Sequence, residues 1–207
     1  PVLTSQHAVL AAAARVPDVK ANSGLNIEAL EISPDQKRLL IGFRSPLRDG
    51  RALIASVENH SAIFESDETP RIAALLDELD LGGHGIRGLS YVPAMGDYLV
   101  IGGPTSRLPG NFDLWRWSGE QGAPARRVRV PGLRSFEKAE GVSPAVVGGT
   151  AYVGDWSGNF YALRLKDGRP GWTFRAEPHG QVYAGQIVSS AAVAKVGGVR
   201  TVFFGSG

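Results

Sequence analysis

Glu28 in NIEAL and Glu140 in KAEGV are the two carboxylates best placed for chemistry, since each precedes a small residue and an apolar one at matching places in the chain. Two carboxylates that converge can hold a hard cation such as calcium, with Asn26 and water filling out the oxygen shell. They can also divide acid and base roles when their surroundings push their pKa values apart. The third reading is structural: each glutamate pairs with Arg44 or Arg87, or accepts backbone N–H groups, so that a buried charge is satisfied. That third reading leads, and Glu28 with Glu140 stands behind it as the candidate metal pair.

Other chemistries find less to work with. His7, His60, His84 and His179 lack the spacing of metal ligands, and only His84, in GGHGIR, sits where a ligand would be met. No Gly-x-Ser-x-Gly elbow occurs and there is no cysteine, so serine-hydrolase and thiolate chemistry have no anchor, and no disulfide framework exists. LGGHGIRG is glycine-rich but does not open a helix, which argues against a phosphate cradle. The run RRVRVPGLR alternates arginine with valine, as a strand with one wet face does. With 22 basic against 20 acidic residues, charge gives no reason to expect a nucleic-acid partner. Trp115, Trp117 and Trp172 read as packing residues, whereas Trp156, directly after a strand, is placed to stack on a flat ligand.

The elements that must position these residues come from a repeat. Four apolar runs close on glycine, at Gly42, Gly102, Gly154 and Gly205, spaced 60, 52 and 51 residues apart. Each follows another short apolar stretch and a turn, marked by Pro34-Asp35, Met95-Gly96 and two Gly-Gly pairs, which makes a hairpin four times over. A third strand is expected at 51–59, 111–119 and 158–165, and a shorter, more polar fourth at 77–83, 126–132 and 171–177. Four antiparallel strands repeated at this period are β-propeller blades. The expected fold is therefore all-β: a propeller fragment of three complete four-stranded blades plus a half blade. The alanine-rich stretch 6–17 precedes them as a helix or loop.

Blade geometry gathers the candidates. In an antiparallel blade the start of the innermost strand and the end of the second lie at one edge. That rule directs Asn26, Glu28, His84, Arg87 and Glu140, with Arg44, Asp155 and Trp156, to one mouth of a central channel. The half blade leaves an open strand edge, a place for edge-strand association with another chain or segment. Residues 1–14 lack the basic start and apolar run of a signal peptide, and no stretch approaches a membrane span.

Two families are resembled. GLNIEALEISPDQKRLLIGFRSPLRDG, LDLGGHGIRGLSYV, YLVIGGP and FDLWRWSG resemble a bacterial family of secreted or periplasmic β-propeller-like domains of unknown function, over about residues 9–142. Its marks are Gly-Leu-Asn-Ile-Glu-Gly-Leu, Leu-Leu-Ile-Gly-Phe-Arg-x-Pro and Leu-Gly-Gly-x-Gly-Ile-Arg; Ala29 replaces one glycine here. From Gly141 onward, Tyr161-Ala162-Leu163, Gly168 and Trp172 resemble the repeat of pyrroloquinoline-quinone-type propellers, with Arg164 where that repeat often has aspartate. The division expected is an N-terminal segment 1–25, blades of the first family over 26–140, and quinone-type repeats over 141–207. The resemblance implies a periplasmic or secreted setting.

These readings favour a non-catalytic propeller module that presents a binding surface to a protein or small molecule at the channel mouth, with no resident cofactor. Whether the chain is an enzyme is left open. A calcium-dependent hydrolase of the phytase or lactonase type is the alternative, and it needs Glu28 and Glu140 around one ion. A quinone-dependent oxidoreductase needs a full ring and a planar pocket, so a quinone is not expected in this stretch.

Overall fold

The computed structural model describes residues 2–19, 23–106, 110–129, 145–155, 157–167, 169–176, 186–187 and 191–206. Glu140 and Trp156 lie outside them, as does His179.

Two short helices, α1 (Val2–Gln6) and α2 (Ala8–Ala13), lead into strands β1 (Asn26–Ile32), β2 (Leu39–Ser45), β3 (Ala52–Val57) and, after helix α3 (His60–Ser66), β4 (Asp77–Leu79). A second set follows: β5 (Gly85–Val92), β6 (Asp97–Gly103), β7 (Asp113–Trp117) and β8 (Arg126–Val128). The third set is β9 (Ala145–Val147), β10 (Thr150–Gly154), β11 (Asn159–Arg164) and β12 (Pro170–Arg175), and a last hairpin is β13 (Ala192–Val196) with β14 (Val199–Phe203). Within each sheet the strands lie in chain order, giving three four-stranded sheets and one two-stranded sheet. The glycine-closed runs are second strands of separate sheets, so the chain is a set of propeller blades. Helix α3, inserted between the third and fourth strands of the first blade, is the element the periodicity does not announce.

Local chemistry explains the hairpins. Gly148-Gly149 and Gly197-Gly198 all have positive φ, between 57° and 83°, the backbone of a tight two-residue turn whose twist matches the strands it joins. They set Val147 opposite Thr150 and Val196 opposite Val199.

The chain divides into two compact units, Pro1–Gly110 with Trp115–Arg127, and Asn111–Leu114 with Val128–Gly207. In the first, the two blades pack face to face: Ala29, Leu40 and Ile54 meet Ile86, Leu89, Val100 and Trp117 in one apolar cluster. The other face of the first blade is covered by the N-terminal helices, where the fully buried Leu10 joins Phe43, Leu53 and Ala55. In the second unit, Tyr152, Phe160 and Ala162 of the third blade receive Val193, Val202 and Phe204 of the hairpin. No helix among the described residues is long and apolar enough to cross a membrane.

Tyr98 shows what close blade packing costs. Its ring lies buried against Tyr91 and Trp117, with centroids 5.2 and 5.3 Å away, and its hydroxyl has no hydrogen-bond partner among the described residues. Burial pushes the phenol up to about 12 from an ordinary value of 10.0. The folded state keeps a proton that the unfolded chain releases, so stability falls as pH rises from about 10 to about 12. Tyr98→Phe is expected to shrink that alkaline limb, leaving the share that Tyr161 contributes, and to add about 1 kcal/mol at neutral pH, read by chemical denaturation across the pH range.

Candidate functional site

Two irregularities in strand pairing build the site. Along β1 and β2 the register steps from Ile27 opposite Phe43 to Ala29 opposite Gly42, which leaves Glu28 as an extra residue. Along β5 and β6 it steps from Ile86 opposite Gly102 to Gly88 opposite Ile101, which leaves Arg87 extra. A β-bulge re-aims the side chain it carries. Here the two bulged residues, from successive blades, meet.

Glu28 Oε2 lies 2.5 Å from Arg87 Nε, and Glu28 Oε1 accepts a hydrogen bond from Arg44 Nη1 at 3.1 Å. The remaining guanidinium donors turn to the backbone after β6. Arg44 donates through Nε to the Pro104 carbonyl at 3.0 Å and through Nη2 to the Ser106 carbonyl at 2.5 Å, while Arg87 Nη1 donates to Pro104 at 3.2 Å. The Arg44 and Arg87 side chains are 7% and 3% exposed, and that of Glu28 is 23% exposed. Charges so deeply placed persist only when each is paired and its spare hydrogen-bonding groups are met. The Pro104 carbonyl serves both arginines, so the cluster ties both inner strands to the connection after β6. Planar, forked guanidinium groups suit this task better than lysine would.

The other candidates are distributed as follows. Asn26 stands opposite Ser45 at the same end of the first blade. His84 is half-buried ahead of β5, close to Gly102: a Cβ built on that glycine would lie 3.2 Å from His84 Cβ and 3.1 Å from Trp115 Nε1. Asn26, Glu28, Arg44, His84 and Arg87 thus all belong to the first unit. Asp155 belongs to the second unit, and its buried carboxylate is committed to its own turn. Oδ1 accepts from the Asn159 backbone N–H at 2.8 Å, and Oδ2 accepts from Asn159 Nδ2 at 3.2 Å and from the Tyr161 hydroxyl at 3.0 Å. Burial and the neighbouring Asp155 charge push Tyr161 up to about 12. Among the described residues no three histidine, aspartate or glutamate side chains gather as a metal-holding set.

Sequence reasoning pairs Glu28 with either arginine; the structure uses both at once. It does not anticipate the carbonyls of Pro104 and Ser106, nor the bulges. The small residue directly after each bulged one, Ala29 and Gly88, is the trace they leave in the sequence. The Asp155 turn has a plainer signal, because Asp-x-Ser-Gly-Asn is the composition of a side-chain-capped turn.

The family described as "Protein of unknown function (DUF3616)" matches residues 4–140, more than half of the chain. No curated protein matches. Among solved structures, the glutaminyl cyclase of Myxococcus xanthus is similar at a TM-score of 0.51 and 16% identity, over 87% of this chain and 68% of that one. BamB from Moraxella catarrhalis gives a TM-score of 0.42 and 16% identity, covering 81% of this chain and 44% of its own. The β-propeller domain of Cps50 (Swd1) from Myceliophteria thermophila gives 0.47 and 9% identity, covering 87% and 48%. The chain spans under half the length of these last two; the likeness to the cyclase, at 16% identity, is one of fold alone.

Proposed function

We propose that this chain, which belongs to the DUF3616 family of proteins of unknown function, is a non-catalytic β-propeller module that presents a binding surface to a protein or small molecule at the mouth formed by its inner strands. The observation that carries this reading is the closure of Glu28 by Arg44 and Arg87. A carboxylate with a guanidinium on each oxygen is already compensated in charge, and a cation brought to it meets the repulsion of two arginines. The cluster therefore acts as a fixed floor, and recognition falls to the groups around it, including Asn26 and His84. The reading extends to residues 141–207 as pyrroloquinoline-quinone-type repeats in a cofactor-free role, supported by the Tyr161-Ala162-Leu163 strand and by Trp172, four residues after Gly168. The family resemblance supports placing the protein in the periplasm or outside the cell, and the balance of 22 basic against 20 acidic residues supports a partner other than nucleic acid.

Thermal unfolding with and without calcium tests the reading. Calcium at millimolar concentration is expected to leave the midpoint of the native chain unchanged, and Glu28→Gln to lower the midpoint equally with and without the ion. A calcium-dependent rise in the native chain that Glu28→Gln abolishes would instead establish an ion site and favour a cation-dependent hydrolase.

A further inference from the structure

The first blade departs from the others in the connection between its third and fourth strands. Residues 58–76 make it there, whereas 118–125 suffice in the second blade and 165–169 in the third. Long connections inside a compact fold usually carry a task, since ordering them costs entropy that a short turn does not. The buried Asn59 ties this one together: it accepts from Arg71 N–H at 2.7 Å and donates to the Thr69 carbonyl at 3.1 Å and to Glu68 Oε2 at 3.2 Å. Glu58 N–H donates to the Arg71 carbonyl at 2.8 Å and closes the loop on itself. Helix α3 within it has no buried residue, so apolar burial is not what the insertion supplies. What it supplies is one wall of a cavity. A space of about 470 Å³ lies between the start of α3 and the β1–β2 turn, lined by Ile32, Ser33, Pro34, Gln36, His60 and Ser61. It sits at the end of the first blade opposite Glu28, because Ile32 faces Leu39 at the turn and Leu39 faces Val57 just before the insertion. The turn side is stiff as well. Ser33 Oγ donates to Asp35 Oδ1 at 2.5 Å and accepts from Arg38 N–H at 2.9 Å, and Gln36 is held at φ 57°, a left-handed backbone that glutamine seldom takes.

We propose that this cavity binds a neutral sugar, with one pyranose ring inside it and the next ring of a glycan over Phe64. The lining selects the class. None of its side chains is an acid, a lysine or an arginine, so a charged ligand finds no partner to offset its desolvation. Ser33, Ser61, Gln36 and His60 set donors and acceptors side by side, the pattern that vicinal hydroxyls present. Ser61 Oγ lies 3.4 Å from His60 Nε2, a loose contact that a ligand hydroxyl can bridge. Ile32, 45% exposed, and Pro34 supply an apolar patch for the C–H face of a ring. The volume falls in the range of small-molecule sites. Phe64 is 84% exposed and follows His60 by four residues, so one face of α3 carries both. A ring so placed fills no core and is free to stack on a second sugar. The glutamine at Gln36, where glycine or asparagine would make the same turn without strain, fits a side chain kept for its amide.

The test titrates the whole chain with maltose, cellobiose and lactose at millimolar concentration and reads saturation-transfer NMR. At least one of them is expected to bind saturably. Gln36→Gly relieves the left-handed backbone and removes the amide, so the variant is expected to melt no lower than the native chain and yet to bind at least about tenfold more weakly. Phe64→Ala is expected to weaken the disaccharide severalfold and to spare the corresponding methyl monosaccharide, because only the second ring reaches that side chain. Absence of binding by all three sugars overturns the proposal, as does binding that Gln36→Gly leaves intact. Tighter binding of glucuronate than of glucose overturns it by making the ligand an anion. Loss of sugar binding in Asn26→Ala with retention in Gln36→Gly overturns it by moving the sugar to the channel mouth. Should Gln36→Gly fail to fold, Ser61→Ala, at an exposed position, decides in its place.

Discussion

Glu28→Gln is expected to lower the stability of this protein by about 3 kcal/mol at neutral pH, although a single oxygen is exchanged for an NH2 group. The substitution leaves two guanidinium groups, 7% and 3% exposed, facing a neutral amide that can accept from only one of them well. Breaking one member of a buried ion cluster is costly because the partners stay charged and desolvated. An exposed pair offers the contrast. Arg164 and Asp167 stand 3.2 Å apart with side chains 53% and 38% exposed, and Arg164→Gln is expected to cost no more than about 0.5 kcal/mol. Urea denaturation of both variants checks the pair of values. Adding Arg87→Met to Glu28→Gln is expected to recover part of the loss, since it removes the cation left without its carboxylate, and the double-mutant cycle gives the coupling directly.

Gly85→Ala is expected to cost about 3 kcal/mol or more, or to stop the first two blades from docking. A Cβ on Gly85 would overlap the Arg44 carbonyl oxygen and lie 2.8 Å from Arg44 Cα. The obstacle is backbone, so no side-chain rotation relieves it, and overpacking of this kind exceeds the usual penalty. The same closeness recurs on second strands. A Cβ on Gly42 would sit 2.9 Å from Ile86 Cγ2, and one on Gly154 would be 2.8 Å from Ile187 Cβ. Gly42→Ala, which meets Ala29 Cβ and Ile86 Cγ2 at 2.9 Å but no backbone atom, is therefore the milder variant. Circular dichroism melts of the two alanine variants, compared with the native chain, rank them.

Much of the fold is legible in the amino-acid order, because every blade announces itself twice: by a glycine in or just after its second strand and by turn residues before that strand. The expected third and fourth strands at 51–59, 77–83, 158–165 and 171–177 contain the observed β3, β4 and β11 and most of β12. Helix α3 escapes because HSAIFES is short; its cap residue, Asn59, is of a type favoured there but makes no side-chain hydrogen bond to the helix. Asn59 instead accepts from Arg71 N–H at 2.7 Å and donates to the Thr69 carbonyl at 3.1 Å. Site residues are legible as types and not as partners. Glu28 and Arg87 are 59 positions apart in the chain, and nothing short of the two bulges says that they will touch. The partnership of Glu28 with Glu140 lies outside the described residues, whereas Asp155 turns inward to Asn159 and Tyr161 because a buried carboxylate takes the nearest donors.

The chain-order arrangement of strands within every sheet also bears on how the molecule assembles. Apart from the connection that carries α3 between β3 and β4, each sheet closes short loops between consecutive hydrogen-bonded neighbours, so the entropy lost before the first contacts form stays small. Assembly can then advance one blade at a time from the N-terminal side, with Phe43 and Leu53 sheltered by Leu10 before the second blade has been synthesised. The opposite face of the first blade, with Leu40 and Ile54, waits for Ile86, Leu89 and Val100 of the second to close over it.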